Sequence, residues 1–168
     1  MTDELATYLN DHLAGATFGY EHARHLEQET VGTELGQTMS SLASDIEADR
    51  DELIALMDRL DIDRSTVKQA TTRIAEKLGR PKFSGATSGE PALGHFLALE
   101  AMSLGVEGKL CLWEALKIVA DSHSQLDAGQ LERLARRARS QRETLERERA
   151  AMAVEALAPE RADRPATA

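Results

Sequence analysis

Apolar residues recur at steps of three and four along most of this chain, the spacing that gathers them on one face of a helix. From about Asp3 to Glu29 the stripe is Leu5, Tyr8, Leu9, His12, Ala16, Gly19, Tyr20, Ala23 and Leu26. A turn at Thr30 to Thr33 separates it from a second stripe, Leu35, Met39, Leu42, Ile46, Leu53, Leu56, Met57 and Leu60, beginning near Glu34. Asp61 to Asp63 interrupts the pattern, and Asp63 or Ser65 caps a shorter helix with Val67, Thr71, Ile74 and Leu78 on its apolar edge and Gly79 at its end. The next stretch, "RPKFSGATSGEP" at 80–91, holds two prolines and two glycines and reads as a loop. A third long helix follows from about Ala92 to Ala120, with Pro91 suited to its first turn. The fourth runs from Leu126–Asp127 to about Ala156, and the tail "PERADRPATA" has the composition of a disordered end.

Short links join the first two and the last two long helices, which predicts two antiparallel hairpins. The insert between them is long enough to cross over along a bundle. The expected fold is therefore all-α: an up-down four-helix bundle with a crossover containing one short extra helix. Residues 1–157 form a single domain and 158–168 a disordered tail.

Helix three asks the sharpest question. In "LEAMSLGVEGKLCLWEA", residues 99–115, Glu100, Glu107 and Glu114 recur every seven residues in an otherwise apolar run. Leu93, Leu97, Leu104, Cys111 and Ile118 cover one side of this helix, and Leu99, Val106, Leu110 and Trp113 another. A helix apolar nearly all round sits centrally, so the three carboxylates are expected to form a buried line, with Cys111 a small core hydrophobe. A buried carboxylate must be paired, protonated or bound to a metal. Arg142 and Arg149, on or beside the buried face of helix four, are the candidate ion-pair partners, each able to hold a carboxylate by a two-pronged bond. Loss of either should then be strongly destabilising. Helix two adds Asp49, set among Ile46, Leu53 and Leu56.

The single cysteine excludes an internal disulfide, and 4% aromatics with four prolines favours helices over strands. The N-terminal segment lacks the basic-then-apolar pattern of a signal peptide, and helix three, with three Glu and two Lys, carries too many charges for a membrane span; a cytoplasmic protein is expected. A net charge of −9 argues against nucleic-acid binding. Charge is nevertheless segregated. Residues 45–61 hold seven acids against Arg50 and Arg59, while residues 132–149 hold seven arginines against four glutamates. Such complementary faces favour self-association as a dimer or higher oligomer; an anionic partner docked on helix four is the alternative. His22 and His25 have a spacing that can hold a transition metal through two imidazoles. His12 sits on an apolar stripe as a core histidine, and His95 and His123 join no constellation.

The helix lengths, the single crossover and the inward Glu line resemble the ferritin-like superfamily over about residues 3–157, closest to its small, little-characterised bacterial members. That resemblance implies a di-metal site built from a Glu on each of two helices and a Glu-x-x-His pair on each of the others. Glu100, Glu107, Asp49 and Glu27 are the positions that match by place, with His22 and His25 as further ligand candidates. No Glu-x-x-His occurs anywhere in the chain, and successive members of the Glu line lie about 10 Å apart. The favoured expectation is thus a degenerate, metal-free carboxylate core, without cofactor, in a stress-related or scaffold protein. The alternative is an iron or manganese carboxylate protein with oxidase or peroxide-handling activity.

Overall fold

The computed structural model describes residues 3–64 and 91–158. Among them are four long α-helices and no strand: α1 Asp3–Glu29, α2 Glu34–Arg59, α3 Pro91–Val119 and α4 Ala128–Leu157, with a 3₁₀ turn at Ala120–Ser122. The short helix expected to end near Leu78, most of the loop at 80–91 and the tail from Pro159 lie outside the described residues.

Local chemistry sets the helix ends. At the α1–α2 turn Gly32 takes a φ of +84°, which favours glycine, and Thr33 caps α2 by accepting from the Gly36 amide at 3.1 Å. Gly36 is buried against the Thr30 carbonyl, so close that a Cβ there would lie 2.2 Å from the oxygen. Asp127 caps α4 in the same way, accepting from Gln130 N–H at 2.9 Å. That bond holds the Asp127 carboxyl below its ordinary range. Pro91 opens α3, where its missing N–H leaves no helical bond unmade.

The two hairpins, α1/α2 and α3/α4, meet mainly through α1 and α3, and α2 touches α4 only sparsely. Leu9 and Leu26 of α1, Met39, Leu53 and Met57 of α2, Leu99, Leu112 and Trp113 of α3, and Leu131 and Leu145 of α4 form one continuous core. Cross-helix contacts fix the directions. His95 lies 3.6 Å from Glu29, so α3 starts where α1 ends. Thr38 donates to Glu148 at 3.3 Å, and Gln130 donates to Glu52 at 2.6 Å, so α2 and α4 are antiparallel. Since α1 opposes both α2 and α3, those two run parallel, and Arg59 and Pro91 lie at opposite ends of the helices. Among the described residues no helix is long and apolar enough to cross a membrane.

Helix three is not sheathed on all sides. Leu104 and Ile118 are 75% and 84% exposed, and Cys111 is also exposed rather than a core residue. The buried stripe of α3 is Met102, Val106, Leu112, Trp113 and Leu116. Rotation about a helix axis is decided by the neighbours a helix meets, which a uniformly apolar sequence leaves open.

Candidate functional site: a buried ion cluster beside an apolar cleft

Along α2 the buried positions Leu42, Ile46, Asp49, Leu53 and Leu56 follow one stripe, so helical geometry carries Asp49 inward with them. Its side chain is 1% exposed. Left alone, a carboxylate at that depth would be costly, and three side chains compensate it. Lys109 Nζ of α3 lies 2.5 Å from Asp49 Oδ2. From α4, Arg137 Nε donates to Oδ1 at 2.5 Å and Gln141 Nε2 donates to Oδ2 at 2.9 Å. Lys109 also donates to Gln141 Oε1, which closes a ring of charge-assisted bonds across three helices. Burial pulls the Lys109 ammonium below its ordinary pKa, and the Asp49 charge opposes that pull.

The carboxylate line takes a different place from the one its sequence context suggests. Glu100, Glu107 and Glu114 are not buried: their side chains are 44%, 45% and 36% exposed, along the rim of the α3/α4 groove. Arg149 Nη1 stands 3.6 Å from Glu100 Oε1, and Arg142 reaches Glu107. Arg139 and Lys117 share Glu114 and also approach Glu132. Water screens such pairs, and they contribute little stability. The strong destabilisation expected for loss of Arg142 or Arg149 therefore does not follow, because no buried charge would be stranded.

The proposed metal ligands are not brought together. Asp49 is enclosed by the ion cluster, Glu27 pairs with Arg24 at the surface, and Glu100 and Glu107 face the α4 arginines. His25 is turned toward Glu29 at 3.4 Å, while His22 stacks on Phe18 with ring centroids 5.9 Å apart. Among the described residues no three His, Cys, Asp or Glu side chains converge as a metal site would need.

Beside the ion cluster lies a cleft of about 510 Å³ between α1 and α3. His12, Phe18, His22, Leu97, Leu104 and Trp113 are among its walls, and Asp49 and Lys109 also reach it. His12 packs edge-on against Tyr8, ring centroids 4.6 Å apart. Burial holds the His12 imidazole below its ordinary pKa against the pull of Asp11; burial also lowers His22, helped by His25 and opposed by a backbone bond at Ala98 and by Glu29. Unfolding frees both rings to protonate at about pH 6.5, so their share of stability is complete above that pH and is lost as pH falls below it. We expect the melting temperature to drop on acidification from about pH 7.5 to about pH 5.5. The His12→Gln, His22→Gln double variant should lose much of that slope; an unchanged slope would remove the two rings as its source.

Sequence reasoning missed Lys109, Arg137, Gln141 and Trp113 as site residues. A signal for two of them was present: Lys109 interrupts the Val106–Trp113 stripe, and Gln141 interrupts the Ala138–Leu145 stripe, as Asp49 interrupts that of α2. No family model matches the chain, and no curated protein or solved structure is significantly similar to it.

Proposed function

We propose that this protein is a ferritin-like bundle in which an internal ion cluster stands where the family would hold metal, and that it works by binding rather than by redox chemistry. One observation carries the reading. Asp49, the carboxylate buried deepest among the described helices, has both oxygens taken by Lys109, Arg137 and Gln141. An ammonium and a guanidinium supply its counter-charge, and they would repel a cation placed beside it. The helix directions support the ferritin-like part: α2 and α3 run parallel, with Arg59 and Pro91 at opposite ends of the helices, as the two helices on either side of that superfamily's crossover do. The exposed Leu104, Cys111 and Ile118 recur every seven residues along one face of α3, and an apolar stripe of that kind suits a scaffold or interaction role.

Elemental analysis tests the metal-free core. Freshly purified protein, and protein incubated with Fe(II) or Mn(II) and then desalted, should both hold far less than one metal per chain. The Glu100→Gln, Glu107→Gln double variant should give the same values. Stoichiometric iron or manganese that disappears in the double variant would overturn the reading and establish a carboxylate metal centre.

A further inference from the structure

We propose that the cleft between α1 and α3 binds a medium-chain aliphatic carboxylate, its head at the Lys109–Trp113 end and its hydrocarbon along Ala101, Leu97 and Phe18. Lys109 and Asp49 are shared with the ion cluster of the proposed function, but ligand binding is read at Trp113 and metal content by elemental analysis, so the two readings fail separately.

The first observation is what keeps the cleft open. Gly15 and Gly19 on α1 and Gly105 and Gly108 on α3 all line it, and all lie inside helices. Glycine in a helix interior is less favourable than alanine. None of the four is required by packing, since a Cβ built at each meets nothing within 4 Å. Nor does any take a positive φ. Their common effect is to leave empty space between the two helices. At about 510 Å³ that space falls in the size range of small-molecule sites.

The second observation points to the ligand's chemistry. Trp113 is 1% exposed, lines the cleft, and its indole N–H has no acceptor among the described residues. Buried indole N–H groups ordinarily have one. Lys109, one helical turn earlier on the same face, also lines the cleft. Two of its bonds go to Asp49 and Gln141, and its ammonium carries three protons. Two cations, Lys109 and Arg137, thus crowd one buried carboxylate, with only the exposed Asp45 acting on Lys109 from farther away. A ligand oxygen bearing negative charge would give the indole its acceptor and the ammonium a second counter-charge. Toward its other end the cleft is walled mainly by Phe18, Leu97 and Ala101, with His22 stacked on Phe18. The acids on the rim of the cleft are Asp11, exposed and on the α1 turn that faces the Lys109–Trp113 end, and Glu100, which is already turned to Arg149. The hydrocarbon therefore runs away from the ion cluster.

Trp113 is the only tryptophan, so its fluorescence reports the site directly. Sodium decanoate, titrated into the full chain below its micellar concentration, should change Trp113 emission saturably, and calorimetry should give one ligand per chain. At Gly105 an added Cβ meets nothing within 4 Å, so Gly105→Leu, whose side chain would occupy the cleft, should keep the helical signal and the melting temperature yet abolish saturable binding. Trp113→Phe keeps an aromatic wall and loses the N–H; calorimetry should show affinity about tenfold weaker, the worth of one hydrogen bond to a charged group. 1-Decanol should bind more weakly than decanoate. No saturable response in the wild type, or a response that Gly105→Leu leaves intact, would overturn the site. Decanol binding as tightly as decanoate would overturn the anionic head.

Discussion

Replacing Asp49 with alanine should lower the unfolding free energy by about 3–5 kcal/mol, read from the midpoint of urea denaturation. The size of the loss comes from what remains. Arg137 is 35% exposed and can turn toward water, but Lys109 is 12% exposed and stays enclosed by α2, α3 and α4. Its ammonium would lose the interaction that opposes the pull of burial on its pKa. The folded state of the variant then binds fewer protons at that amine than the unfolded chain does. Stability of Asp49→Ala should accordingly climb as pH is raised toward about 10, where the unfolded lysine also loses its proton. The double variant Asp49→Leu, Lys109→Met separates charge from packing. It replaces both ions with side chains of suitable volume, a change that is often neutral or better, and it should recover most of the loss. A double variant as unstable as Asp49→Ala would show that the cluster matters for shape and not for charge compensation.

Such a cluster also explains where reading the sequence succeeded and where it slipped. The helix spans were legible because each stripe is long and each end has its own punctuation: Gly32 and Thr33 between α1 and α2, Pro91 ahead of α3, Asp127 ahead of α4. The depth of the Glu line was not legible. Glu100, Glu107 and Glu114 share a face with each other, but that face borders a groove rather than the axis, and α3 is apolar enough on every side that several rotations bury similar area. Contact with α1 and α4 selects the rotation, leaving Leu104, Cys111 and Ile118 outward. Three of the polar residues that reach inward replace an apolar residue in a stripe, one from each of three helices: Asp49, Lys109 and Gln141. In that region α1 contributes Gly15, Ala16 and Gly19 to the cleft wall, so the ion cluster and the cleft lie side by side. Three separately weak signals become a site only once the helices are placed in register.

Glycine supplies the second large effect, and its sign depends on position. Gly36→Ala should destabilise by about 3 kcal/mol, at the upper end of what forcing extra volume into a packed site costs. The new Cβ would stand 2.2 Å from Thr30 O and 2.9 Å from Thr30 C, and both are backbone atoms that cannot rotate aside. That carbonyl is also held in place, since it accepts from Thr33 N–H at 3.1 Å and from the Thr33 hydroxyl at 2.7 Å. Relief therefore requires opening the turn that sets α1 against α2, the hairpin on which both His12 and Asp49 depend for position. Gly105→Ala should do the reverse. Its Cβ enters the empty cleft, and the backbone gains about 1 kcal/mol of helix preference. Thermal melts of the two variants should therefore move in opposite directions from the wild type. If Gly36→Ala melted at or above the wild-type temperature, the close approach of α2 to the Thr30 carbonyl would not be a feature of the folded chain, and the register of the first hairpin would have to be redrawn.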